Sequence, residues 1–206
     1  MSLRKIRVGV DLDEVLVQFC DEMTKYYNAK FSKTLGSSDY DGRQWSDVWQ
    51  MTQDQVNDLI HEFAETEIFD SLEPVPGSIE TLKRLKMTNQ FEFFIITARG
   101  NHLNKKTHVW VKKHFDNIFT GIEFGNTFGQ DKQSPKKREK ADICRELKCD
   151  YLIDDMKSNL KNCSKFNIQG ILFNFLGTYQ WSGITPLSTE DIKHAFTWDE
   201  IEQILT

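Results

Sequence analysis

An α/β fold is predicted by the sequence, with a parallel sheet, helices on both of its faces and a small helical insertion after the first strand. Four short apolar runs rich in β-branched or aromatic side chains alternate with segments of helical periodicity. This alternation is typical of a parallel sheet that is covered on both faces. The stretch 19–72, between the first two runs, contains no convincing strand, which indicates an inserted helical segment.

The predicted strands are short apolar runs bounded by turn residues. They occupy residues 5–10 (KIRVGV), 91–97 (FEFFIIT), 150–153 (DYLI) and 170–175 (GILFNF), with a weaker fifth at 121–125 (GIEFG). In sheets of this kind, ligands bind beyond the carboxyl ends of the strands, where the topology changes direction. The residues that directly follow these runs are therefore the first candidates for a functional site.

Helical periodicity is clearest in residues 76–86, where Ile79, Leu82 and Leu85 share one face after two prolines. Three further segments have such a pattern: 102–115, 135–147 and 197–205, the last with the sequence of a capped helix. The inserted stretch is predicted to be a small helical cap over the carboxyl edge of the sheet.

This reading divides the chain into two parts. Residues 1–18 and 73–206 are expected to form the core domain, and residues 19–72 are expected to form the small helical cap. A length of 206 residues suits one domain with such an appendage.

Composition limits the classes of partner. The 26 Lys and Arg against 31 Asp and Glu give a net charge of −5, so no overall field attracts a nucleic-acid polymer. The basic cluster at residues 132–140 (KQSPKKREK) is interpreted as the solvated start of a helix. No apolar run approaches the roughly 20 residues that a membrane-spanning helix requires, so no membrane partner is expected.

The cysteines and the first residues indicate the compartment. The four cysteines show no C-x-x-C spacing and no paired histidines nearby, which argues against zinc, and their even number alone does not indicate disulfides. Residues 1–10 are too short and too interrupted by charge for a signal peptide. We therefore expect a reduced, cytoplasmic, globular protein.

Acidic side chains crowd the end of the first predicted strand. Asp11, Asp13 and Glu14 directly follow the apolar run, and three acids in four positions repel one another unless a cation lies there. Residues two apart lie on the same side of an extended chain, so the carboxylates of Asp11 and Asp13 can address the same point.

Two other predicted strand ends carry polar groups. Thr97 ends the second run and is followed by Ala98 and Arg99, while Asp154 and Asp155 follow the run DYLI. Carboxylates from adjacent strand ends would converge on one pocket, where they cannot all stay ionised without a counter-charge. A hard divalent cation supplies that charge, and Mg²⁺ is the usual one where phosphate is the substrate.

Each of these elements alone has other interpretations. An Asp-x-Asp sequence also occurs in glycosyltransferases and at ordinary strand-to-loop turns. A threonine after an apolar strand is usually a turn residue, and an Asp-Asp pair is often a helix cap. The prediction therefore depends on the order of all three elements, each after its own strand.

That order resembles a known superfamily. The segments DLDEVL, IITAR, a lysine at a helix start and YLIDD resemble the four motifs of the haloacid dehalogenase (HAD) phosphohydrolases. The segments 11–19, 69–85, 140–155 and 196–205 further resemble the deoxyribonucleotide-specific 5′-nucleotidases. This resemblance implies a Rossmann-like HAD fold with a small helical cap after the first motif.

The resemblance also implies catalytic roles. Asp11 would be the nucleophile that attacks phosphorus and forms an aspartyl phosphate. Asp13 would protonate the leaving alkoxide and then deprotonate water, and its backbone carbonyl would bind Mg²⁺. The carboxylates of Asp11 and Asp155 would complete the metal site, with Asp154 as a further ligand.

The remaining implied roles concern the phosphoryl group. Thr97 would donate its hydroxyl to a phosphoryl oxygen, helped by nearby backbone N–H groups at Ala98 and Arg99. Lys140 would neutralise charge on the phosphoryl group and the nucleophile. The choice of Lys140 over Lys136 or Lys137 depends on the family pattern K-A-x-I-C-x-x-L, and the alternative is a solvent-facing lysine on an amphipathic helix.

Aromatic residues of the cap are candidates for base binding. Phe19 matches a position where the nucleotidases place an aromatic ring against the base, and Trp45 falls close to a second such position, with Trp49 a weaker candidate. Phe19 is equally compatible with the core of a helix that begins near Val15.

Two positions depart from the nucleotidase pattern. Glu14 stands where those enzymes usually have glycine, and its side chain either adds charge near the phosphate entrance or points away. The sequence TARG replaces Thr-Ser-Pro, so Arg99 either binds a second anionic group of the substrate or pairs with Glu14. Both departures concern the identity of the substrate and leave the chemistry intact.

The leading prediction is a Mg²⁺-dependent phosphomonoesterase, a 5′-nucleotidase acting on nucleoside or deoxynucleoside monophosphates. The alternatives are a phosphatase for another small phosphate, such as a sugar phosphate, and a non-catalytic nucleotide-binding protein. A homodimer is compatible with the family resemblance, although no sequence feature marks an interface.

Overall fold

The structure is a computed structural model that describes residues 4–40, 44–127, 136–182 and 192–206. Residues 132–135, which include the predicted start of one helix and part of the basic cluster, lie outside these ranges. No helix of the described ranges is long and apolar enough to cross a membrane.

Six parallel strands form one sheet within the described residues. They are β1 (Ile6–Val10), β2 (Phe91–Thr97), β3 (Phe119–Phe124), β4 (Tyr151–Asp154), β5 (Gln169–Phe173) and β6 (Ile192–Ala195). Their order across the sheet is β3-β2-β1-β4-β5-β6. The chain therefore proceeds outward from β1 first in one direction and then in the other, and β1 lies where the topology reverses.

The register of the sheet brings three strand ends together. Val10, the last residue of β1, pairs with Ile95 of β2 on one side and Ile153 of β4 on the other. Gly9 permits close packing beside this point, because a Cβ there would lie 2.7 Å from Cδ1 of Ile96. The residues after β1, β2 and β4 consequently share one edge of the sheet.

Nine α-helices lie in the described ranges. They are α1 (Phe19–Phe31), α2 (Trp45–Trp49), α3 (Gln53–Ala64), α4 (Glu67–Asp70), α5 (Ser78–Met87), α6 (Asn104–Phe115), α7 (Lys140–Leu147), α8 (Lys157–Ser164) and α9 (Trp198–Leu205). Short 3₁₀ turns connect several of them.

Helices cover both faces of the sheet. On one face, Ile96 and Leu152 pack in an apolar cluster with residues of α7 and α8. On the other face, their neighbours Ile95 and Ile153 join a larger core with residues of α1, α3, α5, α6 and α9. This alternation along each strand confirms the predicted parallel α/β sheet with helices on both faces.

The inserted stretch consists of helices α1 to α4. A capping box starts α3, because Thr52 Oγ1 accepts from Gln55 N while Gln55 Oε1 accepts from Thr52 N. Met23 of α1 and Phe63 of α3 are fully buried in the core that also contains Val8 of β1. Treatment of residues 19–72 as a separate cap domain remains a prediction.

Two elements are absent from the sequence-based prediction. Strand β6 is only four residues long, and Lys193 and His194 interrupt its apolar character. Helix α8 buries only Leu160 and Cys163, so its periodic signal is weak. Ile192 of β6 joins Leu160 and Cys163 of α8 in the cluster on one face of the sheet, so these few apolar residues hold both elements in place.

Two predicted helix starts are wrong. Helix α7 begins at Lys140 rather than near residue 135, since residues 136–139 have no helical structure. Helix α1 begins at Phe19 rather than near Val15, because Leu16 N and Val17 N donate to Leu12 O in a tight turn. Val17 then forms a bridge with Pro74, which holds this segment extended before the helix.

Candidate active site

Two carboxylates and one ammonium group from three elements meet at the carboxyl edge of the sheet. Asp11 directly follows β1, Asp154 ends β4, and Lys140 is the first residue of α7. Lys140 Nζ lies 2.6 Å from Asp11 Oδ2 and 2.7 Å from Asp154 Oδ2. All three side chains are buried, so Lys140 is not the solvent-facing lysine that the alternative reading of the sequence describes.

A potential metal site includes Asp155 as well. Asp11, Asp154 and Asp155 each offer one carboxylate oxygen, and these oxygens lie within 4.8 Å of one another. Asp11 and Asp155 line the adjacent cavity, whereas Asp154 lies behind them and is fully buried. Asp154 also accepts hydrogen bonds from Met156 N and Asn159 Nδ2, which hold it in place.

The pKa shifts of Asp11, Asp155 and Lys140 indicate that this cluster has more carboxylates than its one lysine can balance. Burial raises the pKa of Asp11 well above its usual range, opposed by the charge of Lys140. Burial and then the charge of Asp154 raise the pKa of Asp155 to about 8. Burial lowers the pKa of Lys140, but Asp11 and Asp154 outweigh it and the net pKa is raised. One lysine does not offset three carboxylates, and a divalent cation fits this donor set.

Asp13 pairs with Arg99 at the cavity wall. Arg99 Nη2 donates to Asp13 Oδ1 at 2.6 Å, and Arg99 Nε donates to Oδ2 at 3.0 Å. The Arg99 side chain is 6% exposed and that of Asp13 is 27% exposed. Of the two alternatives for Arg99, the pairing with Glu14 is wrong, because the carboxylate that Arg99 contacts belongs to Asp13.

The side chain of Glu14 is directed to the start of α1, and the residue is also part of the cavity lining. Its Oε1 accepts from Phe19 N at 2.8 Å and from Cys20 N at 2.6 Å, which satisfies two N–H groups of the first helical turn. Tyr179 Oη donates to the backbone carbonyl of Glu14 at 2.9 Å. The backbone of Glu14 has φ 63°, in the left-handed region that glycine adopts more easily than other residues.

The second predicted strand end contributes less directly to the cavity. Thr97 is fully buried, and its Oγ1 accepts from Arg99 N at 3.1 Å. Ala98 and Arg99 line the cavity, but Thr97 does not. The Thr97 hydroxyl thus organises the loop that carries Arg99.

The cavity itself lies between the sheet edge and the inserted helices. Its volume is about 280 Å³, and its walls include Asp11, Asp13, Lys140 and Asp155. The aromatic candidates are placed differently from one another. Phe19 and Trp45 line the cavity with nearly parallel rings whose centroids are 5.8 Å apart, whereas Trp49 is buried outside its lining and donates from Nε1 to Tyr40 Oη.

Several cavity residues are missing from the sequence-based list. Trp181 Nε1 donates to Asp155 Oδ2 at 2.6 Å, and Asn159 contacts Asp154. His61 and His102 also line the cavity, with stacked rings 3.7 Å apart. Asn159 lies in the first turn of α8, a helix that the sequence did not predict, and no local pattern marks the other three.

Known proteins resemble this chain over most of its length. Residues 4–206 match the model of the family described as “5′ nucleotidase, deoxy (Pyrimidine), cytosolic type C protein”. A Bacillus cereus protein to which nucleotidase activity is assigned by inference is 23% identical to this chain over 164 residues. The match covers 76% of this chain and 79% of that protein. The mitochondrial 5′(3′)-deoxyribonucleotidase of Mus musculus is 28% identical over 120 residues, which are 55% of this chain and 54% of that protein.

A solved structure resembles the fold. One such structure is that of YfnB of Bacillus subtilis, which was solved with bound magnesium and is assigned to the HAD hydrolases by inference. It matches this chain with a TM-score of 0.61 and 14% sequence identity. The match covers 99% of this chain and 100% of that one. At this level of identity, the likeness shows that the two proteins share a fold.

Proposed function

Since this chain belongs to the cytosolic type C 5′-nucleotidase family and is a phosphohydrolase of the HAD superfamily, we propose that it is a Mg²⁺-dependent 5′-nucleotidase. Its substrates would be nucleoside or deoxynucleoside monophosphates, hydrolysed through an aspartyl phosphate. The observation that carries this proposal is the contact of Lys140 with both Asp11 and Asp154 beside a cavity lined by Phe19 and Trp45.

Asp11 is the proposed nucleophile. One of its oxygens, Oδ1, accepts from Leu12 N at 2.7 Å, and the other contacts Lys140. Lys140 orients this carboxylate and offsets its charge as an anionic phosphoryl group approaches. The carboxylate attacks phosphorus, the bond to the 5′ oxygen breaks, and water later releases phosphate from Asp11.

Asp13 is the proposed acid and base. It lines the same cavity two residues after Asp11, with part of its side chain exposed to the cavity. In the first step it gives a proton to the leaving 5′ oxygen, and in the second it takes one from the attacking water. Splitting the transfer into two steps lets the same pair of side chains serve both.

The carboxylates of Asp11 and Asp155 would hold Mg²⁺, together with the backbone carbonyl of Asp13 and with Asp154 as a further oxygen donor. When bound, the ion neutralises charge on the phosphoryl group during transfer. Trp181 supports this site, because its Nε1 fixes one oxygen of Asp155.

Phe19 and Trp45 are the proposed contacts of the base. Their ring centroids are 5.8 Å apart, less than the roughly 7 Å that two stacking contacts would need, so a base would stack on an outer ring face rather than between them. Such stacking contributes about 1–3 kcal/mol per base. Polar side chains of the inserted helices, Gln53 and Asn57, line the cavity nearby and offer hydrogen bonds to base edges.

The alternative of a sugar phosphatase has less support. It needs Arg99 to read a distal anionic group, but Arg99 Nε and Nη2 are engaged by Asp13, and Nη1 donates to Thr107 Oγ1 at 3.1 Å. The alternative of a non-catalytic binding protein leaves unexplained why every catalytic position of the motifs is filled.

Two further points belong to the same proposal. We propose that residues 19–72 act as the cap that closes over the substrate, because Phe19 and Trp45 belong to them. We also propose a cytoplasmic location, because the four cysteines are free and three of them are buried beside one face of the sheet.

The proposal is tested by phosphate release from a panel of ribonucleoside and deoxyribonucleoside monophosphates and sugar phosphates, with Mg²⁺ and with EDTA. We expect Mg²⁺-dependent turnover of nucleotides above sugar phosphates, and none by Asp11→Asn. Turnover of sugar phosphates alone would retain the mechanism and reject the nucleotidase. A folded protein without turnover of any of these phosphates would reject the enzymatic proposal.

A further inference from the structure

We propose that Arg99 is a positioning residue that holds the carboxyl group of Asp13 where it can protonate the leaving oxygen of the substrate. This inference rests on the proposed function, because it assigns Asp13 the role of general acid. It gives the TARG sequence a function within the chemical step, distinct from the binding of a second anionic group.

The guanidinium group of Arg99 is fixed from several directions. Arg99 Cζ lies 5.7 Å from the centroid of the Phe19 ring and 5.1 Å from that of Phe69, and Nη1 donates to Thr107 Oγ1. Its backbone N–H donates to Thr97 Oγ1. These contacts come from the inserted helices, from α6 and from the end of β2, so the guanidinium group has little freedom to move.

The carboxyl group of Asp13 depends on that fixed group. Within the described ranges, the hydrogen bonds to its two oxygens all come from Arg99, through Nε and Nη2. Asp13 lies in the loop between β1 and α1, and its side chain is more exposed than those of Asp11 and Lys140. Without Arg99, rotation about its side-chain bonds would be limited only by the loop.

The orientation of Asp13 has a chemical consequence. In the first step, an oxygen of Asp11 forms a bond to phosphorus, the bond between phosphorus and the 5′ oxygen breaks, and the proton of Asp13 passes to that oxygen. A general acid contributes roughly 10²–10⁴-fold for a strongly basic alkoxide leaving group. It contributes little for 4-nitrophenolate, which is stable without a proton. The two leaving groups therefore separate an effect on Asp13 from an effect on phosphate binding.

The same contacts link Asp13 to the proposed base site. Arg99 packs on Phe19, which lines the cavity beside Trp45, and on Phe69 of α4. A base that contacts Phe19 would thus pack against a ring that itself packs on Arg99, the residue that holds the general acid. Substrates with a base would gain from this arrangement in the chemical step as well as in binding.

The test is a single-turnover comparison, with enzyme in excess over substrate and Mg²⁺ present. Nucleoside release from a nucleoside monophosphate is compared with 4-nitrophenolate release from 4-nitrophenyl phosphate, for the wild type, Asp13→Asn, Arg99→Met, Arg99→Lys and the double variant. The matched control is Arg7→Met, which removes a partly buried ion pair with Glu92 at the other end of β1, outside the cavity. Thermal unfolding of each variant shows whether it is folded.

We expect Arg99→Met to slow nucleoside release about 100-fold, as a misplaced catalytic group does, and to slow 4-nitrophenolate release less than about 3-fold. Arg99→Lys should retain only part of the nucleoside release, because one ammonium group keeps the positive charge but cannot replace the two-nitrogen contact. The double variant should be no slower than Asp13→Asn alone, because Arg99 acts through Asp13. Arg7→Met should match the wild type with both substrates.

The outcomes that overturn the inference are distinct from failure of the proposed function. Equal losses with both leaving groups, an effect confined to the enzyme concentration that gives half of the maximal rate constant, or losses that add to those of Asp13→Asn would make Arg99 a substrate-binding residue instead. If Asp13→Asn itself slows nucleoside release no more than 4-nitrophenolate release, the assignment of Asp13 as general acid fails. If Arg99→Met does not fold, Arg99→Lys provides the same comparison.

Discussion

The ammonium group of Lys140 lies 2.6 Å from Asp11 Oδ2, in a buried contact between the first residue of α7 and the residue after β1. The same ammonium group contacts Asp154, so it lies between two carboxylates that would otherwise repel each other. Two functions follow from this position. Lys140 stabilises the folded arrangement of the acidic cluster, and in the proposed reaction it would place positive charge where an anionic phosphoryl group is attacked.

Replacement of Lys140 by methionine should reduce both activity and stability, and the two losses can be measured separately. We expect kcat for nucleoside monophosphates to fall by about 10²–10³-fold, the usual loss when one charge-stabilising donor is removed. The free energy of unfolding in EDTA should fall by about 3–5 kcal/mol, because two buried carboxylates lose their cation. Steady-state kinetics and urea unfolding measure the two effects.

The control for this substitution is Lys137→Met, which removes an exposed lysine paired with Glu139 a few residues earlier in the same basic cluster. Activity and stability should remain near wild-type values there, since exposed ion pairs contribute little. If Lys137→Met matched Lys140→Met in its loss of activity, the choice of Lys140 as the catalytic lysine would be wrong.

The convergence of Asp11, Asp154 and Asp155 could be predicted from sequence because it depends on local information. Each residue follows an apolar run, and the carboxyl ends of neighbouring parallel strands share one edge. The predicted fold class and the family resemblance are confirmed, the latter by the family match over residues 4–206. The roles assigned to the site residues stay predictions until the variants are measured.

Other contacts could not be predicted because they join distant parts of the chain. The pair Asp13 and Arg99 spans 86 positions, and nothing near either residue distinguishes it from a pair between Glu14 and Arg99. The contact of Trp181 with Asp155 depends on the segment after β5, which has no periodic pattern. Such contacts are determined by the packing of the whole domain.

Glu14 should stabilise the start of α1 through its oxygen rather than its charge. Three uncharged replacements isolate this effect. We expect Glu14→Gln to be the most stable, because an amide oxygen can accept from Phe19 N and Cys20 N. Glu14→Ala should be less stable than Glu14→Gln by about 1–2 kcal/mol, the usual cost of a lost N-terminal cap.

Glu14→Gly lacks the same acceptor as Glu14→Ala. Its free energy of unfolding should nevertheless be about 1 kcal/mol higher than that of Glu14→Ala, because the φ of 63° suits glycine. Urea unfolding in EDTA measures the order of the three variants. An order with alanine equal to or above glutamine would show that the side-chain oxygen does not cap α1.

Phe19 and Trp45, the aromatic pair in the cavity lining, should lower KM for nucleotides and not for other phosphates. We expect Trp45→Leu and Phe19→Leu to raise KM for nucleoside monophosphates about 10-fold, within the range of one lost stacking contact. KM for glycerol 3-phosphate should stay within about 2-fold, because it has no ring to stack. Initial-rate kinetics on both substrates give the ratio.

Trp49→Phe is the matched control for this prediction. Trp49 is buried outside the cavity lining, with its ring centroid 4.5 Å from that of Tyr27 and 4.9 Å from that of Trp45, so it contacts Trp45 without reaching the cavity. Its replacement should lower stability without changing the preference for nucleotides. Equal effects of Trp45→Leu on both substrates would show that Trp45 does not contact the base.

His61 should make the protein less stable in mild acid. Burial lowers the pKa of His61 below its usual value of 6.5, despite the nearby charges of Asp58 and Glu65. The unfolded chain therefore binds a proton at this position more readily than the folded one, and the free energy of unfolding falls as the pH decreases below about 6.5. In His61→Gln this part of the pH dependence should be absent. Thermal unfolding in EDTA between pH 8 and pH 5 measures this pH dependence. The control is His108→Gln, which replaces an exposed histidine of α6. A pH dependence of His61→Gln equal to that of the wild type would contradict the prediction.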